Sequence, residues 1–207
     1  FTVFYDRFAL ADSLLAGIGL WSLGLGIVLV KNLKIKTAVI LGIIIGFGLW
    51  TKSPALEFVL LLPALILLNK QKIIKYAILL IVVFIISRAI YEVLFLLPQA
   101  YVINLKNLEF VIPVSQFIKN PFIYFWGNLR ALSIWTYAYL TWPMLILVLV
   151  SLLYGIKQKS VSKLILIGYF SAHFFFMVFF NKVIYPRFLL MFFPLLLILA
   201  AKGIEDI

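Results

Sequence analysis

Seven runs of apolar residues, separated by short polar stretches, dominate the pattern of this chain. They cover residues 9–30, 37–50, 54–68, 76–97, 135–154, 164–180 and 186–201. A helix needs about 20 residues to cross the roughly 30 Å hydrocarbon core of a bilayer, so the second and third runs are short. Short spans are tolerated where the break between them is covered by protein or lines a wet cavity. The pattern predicts an all-α fold, a polytopic transmembrane helical bundle with about seven spanning segments.

The polar stretches between the runs are asymmetric in charge. The first, third and fifth runs are each followed by lysines without an acid, and alternate connections of such a bundle share one side of the membrane. The positive-inside rule makes that side cytoplasmic. The lysines are Lys31, Lys34, Lys36, Lys70, Lys72, Lys75, Lys157, Lys159 and Lys163. The acids that then lie on or toward the outer side are Asp6, Asp12, Glu57, Glu92 and Glu109.

The longest connection, residues 98–133, is neither a clean apolar run nor a polar loop. It mixes phenylalanine, tyrosine and tryptophan with lysine, asparagine and arginine, and Pro113 and Pro121 cut it into short pieces. Segments of this composition are typical of amphipathic helices that lie in the membrane interface. We therefore expect interfacial helices here, on the outer side.

Composition excludes a water-soluble domain. The chain is 66% hydrophobic, with a mean hydropathy of +1.19, and a soluble domain of 207 residues could not cover its surface with polar groups. The net charge of +11 does not indicate nucleic acid, because the lysines form small clusters between apolar runs. The absence of cysteine excludes disulfides and thiolate metal sites. The chain starts with Phe1 and shows no signal peptide, so we expect residues 1–207 to be a single transmembrane domain of a larger membrane protein.

Asp12 is the main candidate for chemistry, because an acid at the edge of a membrane helix is costly to keep there and is a functional candidate by default. One interpretation is an N-cap that satisfies free backbone donors and complements the helix dipole. The other is a base, an orienting group or a ligand of a divalent metal. Asp6 and Arg7 precede it and form either a solvated pair or part of the same outer edge.

Lys52 lies where the second run ends and the third begins. A cation there suits the C-terminal end of one helix dipole, while Ser53 and Pro54 suit the start of the next helix. Glu57 is favoured near that helix start for the same reason. The functional interpretation is that the turn presents Lys52, beside a helix N-terminus, to a phosphate.

Three further polar residues interrupt apolar runs. Arg88 and Glu92 are four residues apart in the fourth run, so they share a helix face and either pair with each other or line a cavity. His173 is alone in the sixth run, where a single histidine without other ligands favours a structural role.

The connection between the last two runs concentrates cations around a proline turn. Residues 181–187 read NKVIYPR, so Lys182, Tyr185 and Arg187 could together hold an anionic phosphate. Ordinary anchoring at the membrane interface explains the same residues.

Three stretches resemble one family. Residues 5–13, YDRFALADS, resemble the R-x-x-L-x-D stretch of GT-C glycosyltransferases, and residues 42–54, GIIIGFGLWTKSP, resemble their G-x-x-x-G-x-x-x-x-T-K-[GS] segment. Residues 185–190, YPRFLL, followed by Phe193 and Pro194, resemble their P-R-Y-L-L-P ending. The protein O-mannosyltransferases and the bacterial aminoarabinose transferases of lipid A are the nearest members in pattern. The matches occur in the family's order over nearly the whole chain.

The resemblance implies a multi-pass, inverting enzyme, a hexosyl- or pentosyltransferase. It would transfer a sugar from a polyprenyl-phosphate donor to a lipid, glycan or protein acceptor at the outer face of the cell membrane. The chain would be the C-terminal part of the family's membrane core, with the main catalytic base, an acid in the first outer loop, upstream of Phe1. Asp12, with Asp6 beside it, would supply a second carboxylate.

The same resemblance assigns the donor phosphate to cations. Lys52 matches the family lysine after the short helix, and Arg130 is a loose match to a phosphate-binding arginine. Phe188 stands where some relatives have a tyrosine, so phosphate contact would fall to Lys182, Tyr185 or Arg187. The possible cavity-lining residues are Arg7, Glu57, Arg88 and Glu92.

Two other classes of function stay open at this point. A transporter or flippase would use Arg88, Glu92 and Lys52 along a pathway, with charges at the bilayer midplane and access from both sides. A noncatalytic membrane scaffold would leave the polar outer edge as anchoring. The transferase requires Asp12, Lys52 and Arg187 to converge in one crevice.

Overall fold

The computed structural model describes residues 11–69, 72–98 and 100–206, apart from the side chain of Asn104. The helices are α1 (Ala11–Asn32), α2 (Ile35–Thr51), α3 (Leu56–Leu61), α4 (Ile73–Glu92), α5 (Tyr101–Phe110), α6 (Val114–Lys119), α7 (Phe125–Lys157), α8 (Val161–Phe180) and α9 (Phe193–Glu205). Shorter 3-10 segments cover Ser53–Ala55, Leu62–Leu68, Val93–Leu96 and Pro186–Met191. Within the described ranges the fold has no strand, only an isolated antiparallel bridge between Val111 and Asn181. The predicted all-α class is confirmed.

Among the described residues, four helical segments are long and apolar enough to cross a membrane. They are Ala11–Asn32, Ile73–Leu96, Phe125–Lys157 and Val161–Phe180. The second and third predicted runs form the shorter helical segments Ile35–Thr51 and Ser53–Leu68, as their lengths indicated. The count of seven spans stays a prediction.

The described chain forms two compact units, which we call the N-terminal unit (residues 11–101) and the C-terminal unit (residues 102–206). The N-terminal unit contains α1 to α4, and the C-terminal unit contains α6 to α9 and nearly all of α5. The expectation of a single transmembrane domain is not tested by this division and stays a prediction.

Glycines bring the helices of the N-terminal unit close together. Gly42 and Gly46, one turn apart on α2, lie against Ile86 and Ile90 of α4, and a methyl group built on Gly46 would be 2.8 Å from Ile90 Cβ. Gly48 lies in the same way against Ile18 of α1 and against Ala55. Small residues at helix contacts allow such close backbone approach, which is how helices associate when lipid gives no hydrophobic driving force. The C-terminal end of α2, which precedes Lys52, is thereby fixed on two sides.

The two ends of the N-terminal unit differ in charge. At one end Trp50 Nε1 donates a hydrogen bond to the Ile90 carbonyl over 2.7 Å, and at the other Asn69 Nδ2 donates to the Val30 carbonyl over 3.1 Å. The lysine-bearing ends of α1, α2 and α4 therefore lie together, as the lysine pattern predicted. The acids of this unit lie at the opposite end, and they are Asp12, Glu57 and Glu92.

The C-terminal unit packs α7, α8 and α9 against one another. A methyl group on Gly203 of α9 would overlap the Leu147 carbonyl of α7, so these two backbones touch. Lys163, in the first turn of α8, pairs with Asp206 just after α9, and both side chains are largely buried. The bridge and the Asn128 side chain hold the 181–187 connection at the other end of the unit.

The long connection is helical, as predicted, and differs in one boundary. Pro113 precedes α6 and Pro121 lies in a turn, so both prolines do interrupt helices. The predicted fifth span began at residue 135, whereas α7 begins at Phe125. The predicted start was too late because Asn128 and Arg130 interrupt the apolar run without interrupting the helix. The interfacial position of these helices stays a prediction.

We predict that Gly46→Ala lowers the free energy of unfolding by about 1–3 kcal/mol, because the added methyl group meets the branched Cβ of Ile90 and forces overpacking. Gly24→Ala is the matched control, since a methyl group there meets no atom within 4 Å and improves helix propensity by up to about 1 kcal/mol. Equilibrium unfolding in mixed micelles measures both. Equal effects of the two substitutions would contradict the close α2–α4 contact.

Candidate functional site

The Asp12 carboxylate contacts the Lys52 ammonium group, over 2.5 Å between Oδ1 and Nζ. Asp12 lies in the first turn of α1, and Lys52 is the residue between α2 and the Ser53–Ala55 segment. The Asp12 side chain is 7% exposed and the Lys52 side chain is 29% exposed. The structure thus brings Asp12 and Lys52 together. They are two of the three residues whose convergence the transferase hypothesis required.

The backbone around Lys52 explains why its side chain points to α1. The Lys52 amide donates to the Gly48 carbonyl and closes α2, and its own carbonyl accepts from the Ala55 amide. Pro54 lies at the start of the following 3-10 segment, where its fixed φ is favourable and its missing amide hydrogen is not needed. The chain therefore turns between two short helical segments and leaves Lys52 at the turn.

The two side chains of the pair differ in how deeply they are buried. A carboxylate this deeply buried needs a counter-charge or hydrogen bonds, and Lys52 supplies both. The N-terminal end of α1 adds a favourable dipole for the same carboxylate. The Lys52 side chain is the more exposed member of the pair, so it is the one that an incoming anion could contact.

Glu57 is a second buried acid at this end of the N-terminal unit. It is 9% exposed and lies in the first turn of α3, next to Phe58, whose ring packs against Gly19 of α1. Asp6 and Arg7, the other predicted residues of this edge, lie outside the described residues.

Arg88 and Glu92 form the intrahelical ion pair that their spacing indicated. Both side chains are about half exposed, and the Arg88 guanidinium also lies 5.3 Å from the centre of the Tyr91 ring. The pairing interpretation is therefore confirmed, and the cavity-lining role stays a prediction.

The predicted phosphate cations of the 181–187 connection are held in different ways. Lys182 Nζ donates to the Leu108 carbonyl over 3.0 Å, so this ammonium anchors the connection to α5. The Arg187 guanidinium stacks over the Tyr185 ring at 5.0 Å and lies 6.0 Å from the Phe188 ring. Arg187 and Tyr185 thus act as one unit of the surface.

Arg130 is exposed and lies on a different side of α7 from this connection. Two residues earlier, the buried Asn128 faces it, and two helical steps turn a side chain by about 200°. The predicted phosphate role of Arg130 is not tested by this placement.

Asn128 is the residue of this region that the apolar pattern left unexplained. Its Nδ2 lies 2.8 Å from the Asn181 carbonyl, and 3.2 and 3.3 Å from the Met177 and Val178 carbonyls. The Met177 and Val178 carbonyls belong to the last turn of α8, which has no helical partners for them, so Asn128 caps α8 from outside. A buried amide in an aromatic segment is the signal that could have revealed it.

His173 has the structural surroundings that its isolation suggested. Its Nε2 lies 3.0 Å from the Phe188 carbonyl, and its ring lies 4.6 Å from the Phe192 ring. Within the described part of the chain, no three His, Cys, Asp or Glu side chains group to hold a metal ion. The divalent metal considered for Asp12 therefore has no supporting cluster among these residues.

Comparisons with protein-family models, with curated proteins and with solved structures find no match to this chain.

We predict that Asp12 and Lys52 are energetically coupled. A double-mutant cycle of Asp12→Asn, Lys52→Met and the double variant should give an interaction free energy of about 1–3 kcal/mol, because the pair is mostly removed from water. The exposed pair of Lys106 and Glu109 is the control, and its cycle should give less than about 0.5 kcal/mol. Chemical unfolding in micelles measures both, and equal coupling of the two pairs would be the contradicting result.

We also predict that Asn128→Ala lowers the free energy of unfolding by about 1–3 kcal/mol, since buried carbonyls at the end of α8 lose their donor. Asn120→Ala removes a similar side chain from an exposed turn and should change stability by less than about 0.5 kcal/mol. Thermal unfolding of the purified variants compares them. A stable Asn128→Ala protein would show that α8 does not need this cap.

Proposed function

We propose that this chain belongs to a membrane glycosyltransferase that transfers a sugar from a polyprenyl-phosphate donor to a lipid, glycan or protein acceptor. The contact between the buried Asp12 carboxylate and the partly exposed Lys52 ammonium carries the proposal. A lipid-phosphate donor needs a cation for its phosphate near a carboxylate for the sugar or the acceptor. Asp12 and Lys52 lie in two of the three sequence stretches that resemble GT-C glycosyltransferases.

The chemistry requires few groups from the protein. The acceptor hydroxyl oxygen attacks the anomeric carbon, the bond from that carbon to the phosphate oxygen breaks, and a carboxylate accepts the hydroxyl proton. The leaving polyprenyl phosphate carries the new negative charge, which a nearby ammonium stabilises. In this proposal Lys52 stabilises the phosphate, Asp12 orients Lys52 or the sugar, and the configuration at the anomeric carbon inverts.

The charge distribution of the N-terminal unit supports the orientation of the proposed site. Its lysine-only end would face the cytoplasm by the positive-inside rule, and Asp12 and Lys52 would then face outside the cell membrane. The predicted bundle of seven spans would also place the lysine-rich connections in the cytoplasm and Asp12 and Lys52 outside. Arg187, which stacks on Tyr185 in the C-terminal unit, stays a predicted phosphate-binding cation.

We predict that Asp12→Asn and Lys52→Met each lower transfer by roughly 10²-fold, as expected when a positioned acid–base or charge-stabilising group is removed. The assay is release of free polyprenyl phosphate from donors that carry a labelled hexose or pentose, in native membranes that contain the acceptor. The double variant should regain part of the lost stability, because neither charge is then left without its partner. It should regain none of the activity, because both proposed functional groups are absent.

Lys34→Gln is the control, since Lys34 is an exposed lysine at the opposite end of the same unit, and it should retain full activity. Full activity of both Asp12→Asn and Lys52→Met would refute the proposal. Movement of labelled donor across vesicles without release of phosphate would instead identify the transporter alternative.

A further inference from the structure

Helices α7 and α8 meet at both of their ends but differ greatly in length. They are joined by the short connection of residues 158–160, and they meet again where Asn128 reaches the carbonyls of Met177 and Val178. Between these points α8 extends about 26 Å and a straight α7 would extend about 44 Å, at about 1.5 Å per residue. A straight α7 therefore cannot make both contacts.

Helix α7 resolves this difference at Thr141. This residue has φ 59° and ψ 164°, a backbone conformation that residues other than glycine rarely adopt. Pro143 follows, and it has no amide hydrogen to donate to the preceding turn. The break leaves pieces of roughly 18 Å (residues 128–140) and 22 Å (residues 142–157). To close a gap of about 26 Å, the pieces must meet at roughly a right angle.

The exposed face of α7 changes its chemistry close to the same break. Directly after the break Trp142 is still exposed, and from the next turn the large exposed side chains at this helical spacing are aliphatic: Ile146, Leu149, Leu153 and Ile156. Before it, the exposed face carries Trp126, Arg130, Ile134 and Tyr137. An aliphatic face fits hydrocarbon, whereas tryptophan, tyrosine and arginine together fit the headgroup zone of a bilayer.

Helix α6 extends this second surface. Its Phe117 ring stacks on Phe180 at 4.6 Å, which seats α6 against the end of α8. In the same helix Val114 and Ile118, one turn apart, are 74% and 75% exposed, and Trp126 at the start of α7 is 72% exposed. Such large apolar side chains are poorly placed in water, and neighbouring Lys119 and Arg130 are poorly placed in hydrocarbon.

We propose that α6 and residues 125–140 of α7 form an interfacial platform, which lies along the headgroup zone of the bilayer, and that the span of α7 begins only at Thr141. The occupant of the exposed face is therefore phospholipid at the level of the headgroups and upper acyl chains. This inference concerns the C-terminal unit alone and does not depend on sugar transfer.

Depth measurements on the full chain test the platform. The chain has no cysteine, so single nitroxide labels can be placed by Trp126→Cys, Tyr137→Cys, Ile146→Cys and Leu153→Cys. The protein is reconstituted in vesicles of phosphatidylethanolamine and phosphatidylglycerol, and the accessibility of each label to oxygen and to a nickel chelate gives its depth.

The platform predicts that labels at 126 and 137 differ in depth by less than about 8 Å, although they are eleven residues apart, whereas a helix along the membrane normal would give about 16 Å. Labels at 146 and 153 should differ by about 10 Å, which calibrates the same helix after the break. A difference near 16 Å between 126 and 137 would overturn the proposal. So would labels at 126 and 137 that the nickel chelate reaches as freely as in bulk water, which indicates water, or that neither reagent reaches, which indicates covering protein.

Discussion

The burial of one carboxylate constrains the N-terminal unit more than any other feature. Asp12 is almost entirely removed from solvent, and a charge in that position has to be matched by a partner at close range. The partner, Lys52, comes from a turn forty residues later, so α1 and the end of α2 must meet at the same end of the unit. Close glycine contacts make that meeting possible, because they bring α2 within reach of both α1 and α4.

The pair has an asymmetry that suits the proposed binding of an anion. The carboxylate is buried and contacts the ammonium, while part of the Lys52 side chain is exposed. A lysine held in this way would lose less conformational freedom on binding a phosphate, because it is already ordered. The same arrangement would also stabilise a purely structural turn, and therefore activity and stability have to be measured on the same variants.

The C-terminal unit illustrates a different constraint, that of length. Helices α7 and α8 share both end points, and their unequal residue counts leave the longer helix no straight path. Close to the break at Thr141, the exposed face of α7 changes from aromatic and cationic side chains, which include Trp142, to aliphatic ones from Ile146 onward. The break and the change in side-chain chemistry therefore lie within about one helical turn of each other, which is where we propose the boundary between interface and hydrocarbon.

The sequence by itself determined the helical class, the short second and third segments, the lysine-only end of the N-terminal unit and the pairing of Arg88 with Glu92. These features depend on hydrophobic periodicity and on spacing within one helix, which are local properties. Tertiary structure decided the partner of Asp12, the capping of α8 by Asn128 and the break in α7. Each of these depends on contacts between residues distant in the chain, and local pattern carries no information on which distant groups will meet.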